Sequence, residues 1–240
     1  MAKVYSLYWN NVSEKIVRGQ RTVFDKFNID LIQENRDGIN HGAWINEVVE
    51  KSGEEDVIVI SDIDAFPLNR SAYEKAVAFA EQGGIFGLAQ FSNHTTSVDP
   101  YAGPMFIAFK KSIWVKLGSP DLSANEKYDA VEILSVLAKN NSVNIFMVRP
   151  TSCISVKWGI PNIGVFGIGT FYGDNEYFHL FESRANSSIS VFSAVLEDLI
   201  TDRYLDFNKY IKIYLSKESR LVSLIGEVKR LIYKIWGNCK

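Results

Sequence analysis

Apolar positions along this chain follow two rhythms, one alternating or continuous over four to eight residues and one with helical spacing. The run Lys3-Val-Tyr-Ser-Leu-Tyr8 is rich in β-formers and predicts an opening strand. Residues 13–26 carry helical spacing through Ile16, Val17, Val23, Phe24 and on to Phe27, with Ser13 placed to cap the first turn. Residues 28–33 predict a second strand. Asn40 predicts the cap of a helix reaching about Lys51, its apolar face made by Trp44, Ile45, Val48 and Val49. Val57-Ile58-Val59-Ile60 is an unbroken β-branched run, the pattern of a strand covered on both faces of a parallel sheet. A helix over 71–81, strands over 85–89 and 104–109, a short helix near 111–117, a helix over 126–139 and a strand over 143–148 continue the alternation. Residues 157–175, with five glycines, read as irregular, with a mobile lid as their functional reading. A strand from Tyr177 to Phe181 comes next, and beyond Ser187 the pattern is helical to the end.

Alternation of strands and helices predicts an α/β fold, a mostly parallel sheet flanked by helices. The length of 240 residues suits one large domain with a helical appendage, divided as 1–187 and 188–240. Hydrophobic residues make up 47% of the chain, which excludes disorder as its main description. A net charge of −2 gives no global field toward nucleic acid. Charge is nonetheless uneven: residues 201–240 carry a net +5 and residues 1–200 a net −7. The basic tail places Phe207, Tyr210, Ile211, Tyr214 and Leu215, then Leu221, Leu224, Ile225, Val228, Leu231, Ile232 and Ile235, at helical spacing. Such a stripe packs on the domain or on a second copy, or lies on anionic lipid. The opening residues do not read as a signal peptide and no run of 18 apolar residues occurs. The expected location is cytoplasmic, with peripheral contact to the inner membrane face if the tail is interfacial. Cys153 and Cys239 alone make neither a disulfide framework nor a zinc site.

Candidate chemistry concentrates where the β-branched run ends, at Ser61-Asp62-Ile63-Asp64-Ala-Phe-Pro67. Ligands of open α/β sheets bind beyond the C-terminal ends of strands. Pro67 prevents simple extension of a central strand. Two neighbouring carboxylates repel unless a proton or cation compensates, and Mg²⁺ is usually held by one or two carboxylates with substrate phosphates. A turn cap or solvated loop is the plain alternative. The glycines of 157–175 match neither the GxxxxGK[ST] loop nor GxGxxG, so neither nucleotide motif is present.

An apolar strand running into Asp-X-Asp about 60 residues after an opening strand resembles the GT-A glycosyltransferases. Three more segments resemble the family: Tyr101-Ala-Gly-Pro-Met-Phe-Ile-Ala-Phe-Lys-Lys-Ser112, its acceptor-side strand; Tyr128-Asp129-Ala-Val-Glu132, its acidic helix opening; and Tyr177-Phe-His179-Leu-Phe-Glu-Ser-Arg184, its late metal-binding His. The resemblance implies a nucleotide-diphosphate sugar donor, a glycan or glycolipid acceptor and a divalent cofactor, Mn²⁺ or Mg²⁺. It implies Asp62, Asp64 and His179 as metal ligands, with Asp62 alternatively on the ribose. Asp129 or Glu132, which share a face if both are helical, is then the base of an inverting transfer. Arg184 is a candidate for the diphosphate. Tyr8, Trp9 and Asn10 close the first strand, where the resembled fold receives the nucleotide base. Asp37 and His41, after the second strand, can approach the same pocket, although Asp37-Gly38 also reads as a plain turn. His94 reads as solvated. A haloacid-dehalogenase-type phosphatase and an inactive sugar- or nucleotide-binding module are the alternatives.

Overall fold

In the computed structural model the described residues are 2–92 and 99–217. His94, Cys239 and the stripe from Leu221 to Ile235 lie outside them. The chain runs β1 (Val4–Tyr8), α1 (Glu14–Lys26), β2 (Leu31–Asn35), α2 (His41–Lys51), β3 (Val57–Ser61), β4 (Ala65–Pro67), α3 (Arg70–Glu81), β5 (Ile85–Gln90), β6 (Tyr101–Lys110), α4 (Lys111–Lys116), α5 (Glu132–Asn140), β7 (Ile145–Val148), β8 (Pro150–Ile160), β9 (Gly164–Tyr172), β10 (Tyr177–Leu180), α6 (Asn186–Ile200) and α7 (Phe207–Lys217).

Six strands form the main sheet in the order β2-β1-β3-β6-β5-β7. The pairs β1–β2, β1–β3 and β5–β7 are parallel, and β6 alone runs against its two neighbours, β3 and β5. The expected mixed, mostly parallel sheet flanked by helices is therefore observed. Alternation along β3 sends Ile58 and Ile60 to one face and Val59 to the other, and β6 divides Ile107 and Phe109 from Phe106 and Ala108 in the same way. The β-branched run is thus covered on both faces, as its composition predicts. One face packs on residues of α2, α4 and α5. The other packs on α1, α3, α6, α7 and a second, antiparallel sheet ordered β4-β10-β9-β8.

The start of α1 is capped by the Ser13 side chain, which accepts from the Lys15 N–H, and that of α2 by Asn40, which accepts from the Ala43 N–H. The second strand begins three residues later than its composition suggests, because Asn28 takes φ 52° and turns the chain after α1.

Three elements differ from expectation. The glycine-rich stretch is no irregular lid: it forms most of a long hairpin of β8 and β9. Its glycines serve close approach, since a Cβ on Gly167 would stand 2.6 Å from the Ser155 carbonyl oxygen, beside a register shift in the ladder. The predicted helix over 126–139 begins only at Glu132, because the Asn125 side chain accepts from the Lys127 and Tyr128 N–H groups and Val131 adopts φ 59°. Strand β4 follows the Asp-X-Asp step directly, and Pro67 ends it without disturbing the main sheet.

The described part of the tail packs on the domain. Tyr210 and Tyr214 of α7 are buried in the same core as Phe192 of α6. Asp198, 2% exposed, accepts from Lys209 at 2.8 Å and from Tyr210 at 2.9 Å, tying α7 to α6. Among the described residues no helix is long and apolar enough to cross a membrane.

Candidate active site

A cavity of about 800 Å³ opens where β1, β3 and β5 end and β6 begins. Its lining includes Tyr8, Trp9, His41, Asp62, Asp64, Asp129, His179 and Arg184. Eight of the predicted site residues are therefore brought together. Asn10, Asp37 and Glu132 are not in the lining.

Strand pairing explains how residues 115 apart in sequence meet. His179 lies opposite Ala65 in the antiparallel β10–β4 register, and the Leu180 N–H donates to the Asp64 carbonyl at 2.9 Å. Phe66 and Phe178 meet beneath this pairing at a tilt, their ring centres 5.4 Å apart, and both contact Phe192. Burial of each such ring contributes about 1.5–3 kcal/mol. As a result His179 Nε2 stands 3.6 Å from Asp64 Oδ1 and 4.0 Å from Asp62 Oδ2. One ligand atom from each of Asp62, Asp64 and His179 lies within 4.8 Å of the others. Ligands held about 2.1 Å from an octahedral ion stand about 3–4 Å apart, so this spacing fits one divalent cation.

Electrostatics point the same way. Burial raises the Asp62 carboxyl above the usual carboxylate range, and the charge of Asp129 adds to it. Burial also raises Asp64, with Asp62 adding and Ser183 and Arg184 opposing. His179 is lowered to about 3 by burial, so its imidazole is neutral and able to ligate. Two carboxylates that disfavour their own charge, beside a neutral imidazole, form an oxygen-rich set suited to Mg²⁺ or Mn²⁺.

His41 opens α2 and reaches the other oxygen of Asp62, with Nε2 3.4 Å from Oδ1. Its ring stacks on Trp44 at 5.8 Å, and burial lowers it to about 4 against the pull of Asp129. The start of α2 is seated closely: a Cβ on Gly42 would lie 2.3 Å from the Leu122 carbonyl oxygen. The turn at Asp37-Gly38 is as plain as its sequence reads, and the Asn10 N–H donates to Asp37 at 3.2 Å. Asn10 also accepts from Asn35, so this pair ties the ends of β1 and β2 beside Tyr8 and Trp9.

Asp129 precedes α5 and does not share a helical face with Glu132. One oxygen accepts from the Tyr101 hydroxyl at 2.8 Å and the other from the Ala130 N–H at 2.8 Å. Glu132, 1% exposed, turns its carboxylate back to the Asp129 N–H at 2.8 Å, holding the loop in place. Arg184 is exposed and lies 5.4 Å over the Trp9 ring.

Several lining residues are unmarked by sequence reasoning. Trp158 and Phe166 face each other across the β8–β9 hairpin, stacked at 4.6 Å, and Phe166 lies 5.5 Å from the His179 ring. Gln90 and Met105 come from β5 and β6. An aromatic pair within a strand run was the available signal for the hairpin. Trp9 Nε1, Gln90 Oε1, Trp158 Nε1 and His179 Nδ1 are buried without a hydrogen-bond partner among the described residues, and all four residues line this one cavity. Such orphaned groups are uncommon in folded proteins and mark a place where a ligand or water completes them.

No protein-family model and no curated protein matches the sequence. The fold aligns with a Drosophila β-1,4-galactosyltransferase 7 variant in complex with manganese, UDP-Gal and xylobiose (13% identity, TM-score 0.43, 76% of this chain and 71% of that one). It aligns with a mannosyltransferase from Pyrobaculum calidifontis in complex with GDP-Man and Mn²⁺ (11%, TM-score 0.46, 98% and 82%). It also aligns with a putative glucose-1-phosphate thymidylyltransferase from Bacillus anthracis in complex with sucrose (10%, TM-score 0.47, 88% and 99%).

Proposed function

We propose that this chain is a metal-dependent glycosyltransferase, moving a hexosyl or related sugar from a nucleotide-diphosphate donor to a hydroxyl of a glycan or glycolipid, with inversion. The observation that carries the reading is the convergence of Asp62, Asp64 and His179 beyond the end of β3, in a cavity that also holds Asp129. Glycosyl transfer breaks an anomeric C–O bond and leaves charge on the departing diphosphate. A divalent ion held by Asp62, Asp64 and His179 supplies Lewis-acid stabilisation of that charge. Arg184, steadied over Trp9, adds charge-assisted hydrogen bonds to the same oxygens.

Tyr8 and Trp9 offer the base an aromatic surface, with the Trp9 N–H free to donate. His41, held by Trp44, presents its imidazole on the side of Asp62 away from His179. Asp129 takes the proton of the acceptor hydroxyl, and Tyr101 orients its carboxylate for that transfer. Glu132 keeps the Asp129 loop in place and does not act on substrate in this reading. Trp158, Phe166 and Met105 supply apolar wall, which keeps water from competing with the acceptor.

Incubation with a panel of nucleotide-diphosphate sugars and Mn²⁺ tests the reading by nucleotide release with and without glycan or glycolipid acceptors. Acceptor-stimulated release is expected. Turnover of phosphomonoesters instead points to the dehalogenase-type alternative, and donor binding without turnover to a binding module.

A further inference from the structure

The buried face of α1 is apolar apart from Gly19 and one long polar side chain, Gln20, which is 0% exposed. An amide buried without partners is strongly destabilising, so its contacts are what keep this residue in the core. Gln20 Nε2 donates to the Asp62 carbonyl at 2.7 Å and to the Ala65 carbonyl at 3.0 Å. Those two residues bracket the turn that presents Asp62 and Asp64. The Ala65 N–H closes the turn onto the Asp62 carbonyl at 2.9 Å, and the Ser61 hydroxyl donates to the Ala65 carbonyl at 3.0 Å. On its other side, Gln20 Oε1 accepts from Gln33 Nε2 at 2.9 Å, and Gln33 also donates to the Val17 carbonyl at 2.9 Å. Both hydrogens of the Gln33 amide are engaged, so the Gln20 amide has one orientation: oxygen toward β2, nitrogen toward the turn.

We propose that Gln20 is the positioning residue of the carboxylate corner, clasping the 62–65 turn from the protein interior so that Asp62 and Asp64 stay together before any ion arrives. The proposal rests on the metal reading given above. Two adjacent, partly buried carboxylates repel when ionised, and that repulsion acts to open the turn that carries them. A side chain that bonds both ends of the turn opposes the opening without entering the cavity; Gln20 is absent from its lining. Packing alone does not explain the residue, since Leu or Met would fill the same apolar stripe.

The test is Gln20→Met in the full chain, with Phe24→Leu on the same buried face of α1 as the comparison. Mn²⁺ affinity is read from the electron paramagnetic resonance signal of the free ion, and protection of the Ala65 amide from hydrogen exchange. Gln20→Met is expected to weaken Mn²⁺ binding roughly 10–100-fold, the usual cost of losing support behind a metal ligand, and to lose Ala65 protection. Phe24→Leu is expected to lower the melting temperature and leave both readouts at wild-type values. Wild-type Mn²⁺ affinity in Gln20→Met, or an equal loss in Phe24→Leu, overturns the clasp. If the wild-type chain binds no Mn²⁺, the metal reading fails separately. The clasp is then decided by exchange, where wild-type protection of Ala65 in Gln20→Met overturns it and selective loss sustains it.

Discussion

Asp62, Asp64 and His179 ride on strand ends and a closed turn, whereas Asp129 rides on the irregular segment before α5. The first group is fixed mainly by backbone bonds, β10 against β4 and the Asp62 N–H on the Met105 carbonyl, with the Gln20 side chain behind the turn. The second lies outside any ladder and is fixed by side chains, Tyr101 on one carboxylate oxygen and Glu132 on the Asp129 N–H, together with single backbone bonds such as the Glu132 N–H on the Asp129 carbonyl. Ladders hold geometry to fractions of an ångström against charge repulsion, and a metal site requires that. A segment outside the ladders has fewer bonds to break when it shifts, which suits a residue that must follow an acceptor hydroxyl as it approaches. The contrast also separates two neighbouring acids that sequence spacing made equivalent: Asp129 faces the cavity, and Glu132 braces it.

The sharpest way to break this contrast is Asp64→Ala. Mn²⁺ binding and donor turnover are expected to fall below detection while the circular dichroism spectrum persists, because the β4–β10 pairing uses backbone and not the carboxylate. Next comes Asp129→Asn, expected to lower transfer about 10²–10⁴-fold with Mn²⁺ and donor affinity unchanged. Glu132→Gln should instead appear in thermal melts, at a cost of about 1–3 kcal/mol, with a smaller change in kcat. A collapse of kcat in Glu132→Gln with Asp129→Asn active would exchange their roles.

A gentler probe is pH. Because Asp62 and Asp64 are raised, protons compete with the ion for them below neutrality. Apparent Mn²⁺ affinity should therefore rise with pH from about 5 and level off near neutral, by about tenfold per unit for each proton displaced. His179, lowered to about 3, adds no competition in that range. Calorimetric titrations at several pH values check the slope, and a flat profile would contradict the carboxylate assignment. Smallest is Tyr101→Phe, which removes one hydrogen bond to Asp129. A loss of about tenfold or less in kcat with KM for the donor unchanged is expected, matching a bond of about 1 kcal/mol.

Much of the main sheet was legible because its strands are marked twice, by β-branched runs and by capped helices between them. Asp62 and Asp64 stood out for the same reason: their strand ends where the apolar run ends. His179 came from resemblance, since its partner strand β4 is three residues long and ends in proline, leaving no periodicity to read. His41 was legible as a residue near the pocket, but its contact with Asp62 depends on how α2 leans, which Gly42 and Leu122 decide across 80 residues of chain. The β8–β9 hairpin was hidden because glycine signals a loop in sequence and close strand approach in the fold. Gln20 was invisible as a single polar residue in an amphipathic stripe, its meaning set by a turn 42 residues away.

The proposed function stands on a divalent ion gripped between the end of β3 and His179 of β10. Crystals grown with Mn²⁺ and a nucleoside diphosphate, measured for anomalous scattering at the manganese edge, test it directly. The account predicts one peak within about 2.0–2.3 Å of oxygens from Asp62 and Asp64 and of His179 Nε2, with phosphate oxygens completing the shell. A nucleotide bound elsewhere, or a peak away from these three side chains, would contradict it.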